Sequence, residues 1–211
     1  MLFDLDGTLV DTVSTRLEAW LRAFEEFQIR ADRDQVKALI GSDGRRLARV
    51  VAESAHVAFQ AEQASAIDRR AGEIYNELNT DPRPLPGVKE TLAALDARGV
   101  RWAIATSSLE AQVRASVDAL VLTRRPLIVD GSHVAQAKPA PDLMLRASVE
   151  LRVSPARTWC VGDATWDMQA AKSAGMPSIG VTTGFATAGD LEAAGAWLVI
   201  DHLDRMIALL G

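Results

Sequence analysis

Four carboxylates, a run of three hydroxyls and one lysine stand where apolar runs give way to turns. Asp4 and Asp6 precede Gly7 and Thr8. Thr106, Ser107 and Ser108 follow the apolar stretch 102–105. Lys138 precedes Pro139. Gly162 and Asp163 follow 158–161, with Asp167 four residues further on. Clustered carboxylates repel one another unless a cation sits among them. An oxygen-only ligand set selects a hard ion such as Mg²⁺ over zinc. A carboxylate is already ionised at neutral pH and needs no base to act as a nucleophile. Its obstacle is repulsion from an anionic phosphate, which Mg²⁺ and the Lys138 ammonium would offset. Attack by a carboxylate yields an aspartyl-phosphate and splits one hard displacement into two. A second carboxylic acid can protonate the leaving alcohol and then take a proton from water. To begin protonated, its pKa must be raised by neighbouring carboxylates and exclusion of water.

These residues need a scaffold that brings them together. Met1-Leu2-Phe3 with Leu5 reads as the end of a buried strand, so the chain is expected to start late, since a strand usually runs about five residues. Leu17, Trp20, Leu21, Phe24 and Phe27 then recur at helical spacing. Val36, Leu39 and Ile40 predict a second helix, ended by Gly41. Leu47, Val50, Val51 and Val57 predict a third, and Ile67, Ala71, Ile74, Tyr75 and Leu78 a fourth. Pro82, Pro84 and Pro86 make 81–87 a stiff extended connector. Helices are predicted at 88–98, 109–120, 142–151 and 166–174. They alternate with strands at 102–105, 127–129, 158–161 and 178–181. A last strand at 197–200 leads into a C-terminal helix. Such alternation implies a mostly parallel sheet covered on both faces. The expected fold class is α/β, a doubly wound Rossmann-like core of residues 1–12 and 81–211. Residues 13–80 form an all-helical insert after strand 1. Ligands of such sheets sit at the carboxyl ends of the strands, where Asp4, Thr106 and Asp163 fall.

Composition narrows the functional classes. Of 211 residues, 48% are hydrophobic and 24% charged, which suits a globular core and excludes a disordered chain. A net charge of −5 argues against nucleic acid as the main partner. A small phosphorylated ligand needs only one or two local cations. Cys160 is the single cysteine, so no disulfide framework exists within the chain. Its apolar surroundings predict a core residue. The longest charge-free stretch, 173–189, carries Pro177 and several glycines and is a poor membrane span. Asp4 and Asp6 stand where a signal peptide would be basic and then apolar. The expectation is a soluble, cytoplasmic protein. His56, His133 and His202 lack metal-ligand spacing. Ser108 reads as a helix N-cap, and Trp166 as a core residue able to edge the site. The loop 41–46 either faces the substrate, with Arg45 or Arg46 on an anionic group, or is a solvated helix start.

The motifs resemble those of the haloacid dehalogenase-like hydrolase superfamily. Asp4-Leu5-Asp6-Gly7-Thr8-Leu9-Val10-Asp11 is similar to its first motif, Ala105-Thr106-Ser107-Ser108 to its second, Ala137-Lys138-Pro139-Ala140-Pro141-Asp142 to its third and Val161-Gly162-Asp163-Ala164-Thr165-Trp166-Asp167 to its fourth. The helical insert resembles the family's small mobile cap. The resemblance implies Asp4 as nucleophile and Asp6 as general acid/base. It implies phosphoryl binding by Thr106 and Lys138, with Ser107 beside them. Mg²⁺ would be held by Asp4, the backbone carbonyl of Asp6, and Asp163, while Asp167 orients Lys138 or a metal-bound water. Dehalogenases and phosphonatases of this superfamily lack an acid/base aspartate at position 6, so Asp6 favours phosphoryl transfer. The leading expectation is a Mg²⁺-dependent phosphatase acting on a small phosphorylated metabolite. The alternatives are a phosphomutase of the β-phosphoglucomutase type and a non-enzymatic phospho-accepting domain. Oligomeric state is not legible.

Overall fold

The computed structural model describes residues 1–57 and 60–210. Six strands form one wholly parallel sheet: β1 (Leu2–Phe3), β2 (Ala103–Ala105), β3 (Leu127–Val129), β4 (Cys160–Gly162), β5 (Ser178–Val181) and β6 (Leu198–Ile200). Their spatial order is β3-β2-β1-β4-β5-β6. The order reverses direction at β1, so a crevice opens at the carboxyl ends around it. The strands are short and consist of Leu, Ile, Val and Ala with few interruptions, as a sheet covered on both faces requires. One face packs around Phe3, Leu92, Trp102, Ile104 and Val161. The other packs around Leu2, Ala103, Leu143, Met144 and Cys160.

β1 has only two paired residues, yet it is gripped from both sides. Leu2 registers with Ala103 and Cys160, and Phe3 with Ile104 and Val161. The ladder continues as the Asp4 N–H donates to the Val161 carbonyl at 2.9 Å. Asp4 is therefore held firmly despite the short strand that precedes it.

Between β1 and β2 lie α1 (Val13–Glu26), α2 (Arg33–Leu39), α3 (Gly44–Ser54) and α4 (Ala61–Leu78), followed by α5 (Val88–Ala97). The first four pack on one another through a core of their own, which includes Leu17, Trp20, Phe24, Leu47, Ile67 and Tyr75. Asp32 and Asp43 cap α2 and α3, accepting from the Gln35 and Arg46 N–H groups at 2.8 and 3.1 Å. The chain leaves the sheet and returns to it at adjacent points. The Asp11 N–H donates to the Arg83 carbonyl at 2.9 Å, and the Leu85 N–H to the Leu9 carbonyl at 3.0 Å. Val10 and Pro84 form an antiparallel bridge there.

The remaining helices are α6 (Glu110–Ala119), α7 (Asp142–Glu150), α8 (Thr165–Ser173) and α9 (Ala188–Ala194). Several details differ from the sequence expectation, among them β4, which begins at Cys160 and not at 158. Trp102 precedes its strand, its indole N–H donating to Asp96 at 3.0 Å. Val57 lies beyond the end of α3. The C-terminal segment Leu203–Leu210 is a 3-10 helix. α9 was not expected: it is a seven-residue helix begun by a capping box between Thr187 and Asp190. Cys160 is buried, its sulfur 3.4 Å from that of Met176. Among the described residues no helix is long and apolar enough to cross a membrane.

Candidate active site

The crevice beside β1 collects the residues singled out by sequence. Asp4 follows β1, Thr106 follows β2 and Asp163 follows β4. Lys138 arrives on the loop before α7, and Asp167 lies in the first turn of α8. Gly7 makes the turn after Asp6 with φ +84, a left-handed backbone open to glycine at little cost. A Cβ at Gly7 would also stand 2.4 Å from the Asp163 carboxylate. The bare backbone thus lets the first turn close over Asp163, while Thr8 donates its hydroxyl to Asp163 at 2.8 Å.

Lys138 is fully buried, with 0% of its surface exposed. Its ammonium bridges two acids, in direct contact with Asp4 Oδ1 and 2.7 Å from Asp167 Oδ1. Burial works against its charge, but the two carboxylates outweigh burial and hold it well above the usual lysine range. The acids carry the opposite strain. Burial, with Asp167 and Asp6 nearby, pushes the Asp4 carboxyl up to about 7 against the pull of Lys138. Burial and the charges of Asp4 and Asp167 raise Asp163 well above the carboxylate range.

Asp4, Asp163 and Asp167 each place a carboxylate oxygen within 4.8 Å of the others. Three buried acids face one ammonium there, and every donor is a hard oxygen. This arrangement fits a divalent cation, which would remove the like-charge repulsion. The side-chain cluster adds Asp167 to Asp4 and Asp163; Asp6 is expected to contribute its backbone carbonyl, and its carboxylate points elsewhere.

A thermal-shift titration tests the fit. Magnesium at about a hundred times its dissociation constant is expected to raise the unfolding temperature by about 5–10 °C. Asp163→Asn should abolish the shift. Linkage gives the pH dependence its sign. Asp4 titrates near 7 in the fold against 3.8 unfolded. Its contribution to stability is complete below the unfolded value and is lost as pH rises toward 7, and Asp163 acts in the same direction. Metal-free protein should therefore unfold at a lower temperature at pH 8 than at pH 5, and magnesium should flatten that slope. A wild-type protein indifferent to magnesium at both pH values contradicts the assignment.

Asp6 departs from expectation. Its Oδ2 accepts from Arg16 Nη2 at 2.9 Å and from Ser108 Oγ at 2.8 Å. Its Oδ1 accepts from Thr12 Oγ1 at 2.6 Å and from the Tyr75 hydroxyl at 3.1 Å. Burial would raise this carboxyl, but Arg16, Thr12 and Ser108 overcome it and lower the pKa. The raised value expected of a general acid is thus absent in this arrangement, because α1 delivers a guanidinium to it. Arg16 also donates to Gln112 Oε1 at 2.7 Å and lies 3.4 Å over the Tyr75 ring.

Thr106 is buried, and its hydroxyl accepts from the Ser108 N–H at 3.2 Å. The Ser107 hydroxyl is spent on the helical unit, donating to the Gly41 carbonyl at 3.0 Å. Ser108 is not the N-cap of α6, a position taken by Leu109. Asp4, Asp6, Thr106 and Ser107 line one cavity of about 50 Å³, together with Arg16, Trp20, Gln112 and, on α4, Asp68. Arg45 and Arg46 do not line it. Arg45 reaches the Ala135 carbonyl at 2.8 Å, and Arg46 stacks 4.7 Å over the Trp166 ring. Sequence reasoning passed over Arg16, Tyr75, Gln112 and Asp68.

Comparison with known proteins agrees with this geometry. The family model for haloacid dehalogenase-like hydrolases matches residues 1–181. The chain is 34% identical over 212 residues to "Probable phosphatase IndB" of Dickeya dadantii (strain 3937), covering 98% of this chain and 91% of that protein. It is 34% identical over 218 residues to a plasmid-borne phosphoglycolate phosphatase of Cupriavidus necator, covering 100% and 92%. The crystal structure of a hydrolase from Pseudomonas syringae superposes with a TM-score of 0.94 at 30% identity, covering 99% of this chain and 96% of that one. The strand order, the acids and lysine converging beside β1, and these matches together place the chain in the haloacid dehalogenase-like hydrolase family.

Proposed function

We propose that this protein is a Mg²⁺-dependent phosphatase that hydrolyses a small phosphorylated metabolite through an aspartyl-phosphate on Asp4. One observation carries the reading: the Asp4 carboxylate opens into a cavity shared with Asp6, Thr106 and Ser107 while Lys138 grips it from beneath. Asp4 attacks phosphorus and expels the alcohol, which takes its proton from Asp6. Lys138 and Thr106 hold the phosphoryl group, with Ser107 at the cavity wall. Asp167 keeps Lys138 in place through the 2.7 Å pair. Asp4, Asp163 and the Asp6 backbone carbonyl would hold the Mg²⁺, whose charge offsets repulsion between nucleophile and phosphate.

Asp6 serves as an acid only after leaving Arg16. In this reading residues 13–80 are a cap that moves against residues 1–12 and 81–211, and α1 carries Arg16 with it. Closure excludes bulk water. The helical unit has its own core and meets the rest through contacts that include Ser107–Gly41, Arg45–Ala135 and the Trp166 ring packed against it. The chain's one cysteine, unpaired and buried, is compatible with a reducing compartment, and the cytoplasm is the compartment we propose.

A burst experiment tests the reading. With p-nitrophenyl phosphate, whose leaving group needs little protonation, Asp6→Asn should release one equivalent of nitrophenol rapidly. Steady turnover should then fall about 10²–10⁴-fold, because water lacks its base. Absence of phosphate release by the wild type rejects a phosphatase. With a hexose 1-phosphate as substrate instead, isomerised sugar phosphate in place of free phosphate identifies a mutase. A stable phosphoprotein identifies a phospho-accepting domain.

A further inference from the structure

Resting on the phosphatase reading, we propose that Asp68, with Arg16 and Gln112, selects a neutral polyhydroxylated leaving group and rejects substrates bearing a second anionic group. Asp68 lies on α4 and lines the cavity that holds Asp4. No hydrogen bond from the described residues reaches its carboxylate. Gly44 makes the room it occupies: a Cβ there would stand 2.0 Å from Asp68 Oδ1. Gly72, in the middle of α4, does the same for Gln112, whose amide nitrogen lies 2.0 Å from where a Cβ would be. A mid-helix glycine weakens a helix relative to alanine, so its presence under a polar side chain at the cavity wall needs a reason. Making space for hydrogen-bonding groups is one.

The charges at this cavity decide what those groups can bind. Its titratable members are Asp4, Asp6, Arg16 and Asp68, so Arg16 is the one cation among the described lining residues. Both Arg16 terminal nitrogens are already committed, to Gln112, Asp6 and Ser108. The cap-loop arginines do not line the cavity: Arg45 is held by Asp43 and the Ala135 carbonyl, near enough to Asp68 to favour its charge, and Arg46 lies over the Trp166 ring. Even once Arg16 has parted from Asp6, a substrate carboxylate or second phosphate would face Asp68 and Asp6 across a cavity with a single guanidinium, which those acids share. A hydroxyl finds partners instead. Asp68 accepts from it, and the Gln112 amide at the same cavity wall offers a second polar partner. The Trp20 side chain lines the same cavity and offers an apolar face to a carbon skeleton.

Steady-state kinetics of the full chain with magnesium test the proposal, using ribose 5-phosphate, glucose 6-phosphate, glucosamine 6-phosphate, phosphoglycolate, fructose 1,6-bisphosphate and p-nitrophenyl phosphate. The best neutral sugar monophosphate should exceed phosphoglycolate and the bisphosphate by about 100-fold in kcat/KM. In Asp68→Ala, the ratio of sugar phosphate to p-nitrophenyl phosphate should fall about tenfold. Asp68→Asn, which keeps an acceptor, should restore most of that ratio. A preference for phosphoglycolate or the bisphosphate, or a ratio unmoved by Asp68→Ala, overturns the proposal. A preference for the amino sugar overturns it in favour of an ammonium ligand. Failure of the wild type to hydrolyse p-nitrophenyl phosphate rejects the phosphatase reading itself, which keeps the two failures distinct.

Discussion

Asp4→Asn is expected to lower phosphate release by about 10⁴-fold or more while raising the stability of the metal-free protein at pH 8. The two effects have one origin. Asp4 is buried near Asp6, Asp163 and Asp167, and its carboxyl is pushed up to about 7 by burial first and, against the pull of Lys138, by the Asp167 and Asp6 charges. At pH 8 it is therefore held ionised against an environment that favours the neutral form. Asparagine has nearly the same shape and carries no charge, so it relieves that repulsion. It also lacks the anionic oxygen that attacks phosphorus. Phosphate release and a metal-free melting curve check the pair of effects together. Retained activity contradicts the role of Asp4. A lower melting temperature shows that its pairing with Lys138 outweighs the repulsion.

The second large effect falls on Lys138. Its ammonium is the sole cation in contact with both Asp4 and Asp167 among the described residues, and it is fully buried. Removing one member of a buried ion pair costs about 3–5 kcal/mol, because the remaining charges stay desolvated. Lys138→Met should lower the unfolding temperature by about 10 °C in the absence of metal and lower kcat about 10²–10³-fold. Adding Asp167→Asn should return part of the stability and none of the activity. Lys138→Arg is no substitute, since a planar fork cannot fill the place of a compact ammonium in a closed site. Calorimetry and turnover on the single and double variants check this. Full stability in Lys138→Met would show that the acids, not the lysine, set the local energetics.

Much of this site is legible in the sequence because its members fall where strands end. The pattern of short apolar runs followed by Asp, Thr or Gly-Asp locates Asp4, Thr106 and Asp163 without knowledge of any contact. Lys138 is marked by its prolines. The helix faces of the insert were readable from Leu17, Trp20 and Phe24 or Ile67, Ala71 and Ile74, which recur at helical spacing. Arg16 was not read, although a signal existed. It lies one turn before Trp20 on the buried side of α1, a charged residue where the stripe demands an apolar one. Tyr75 reads as core from its spacing because its ring is core. Only the fold shows that its hydroxyl reaches Asp6 from 69 positions away. Gln112 and Asp68 give no local sign, since their meaning comes from glycines on other turns that leave them space. The missing helix α9 had its capping pair in Thr187 and Asp190, but only seven residues and one buried leucine follow it.

The antiparallel bridge between Val10 and Pro84 has a consequence for how such proteins diversify. Because the excursion departs and comes home through neighbouring doors, its contents can be exchanged without rethreading a single strand. Under the proposed division of labour, reactivity would stay with the anvil while discrimination travelled with whatever is hung above it.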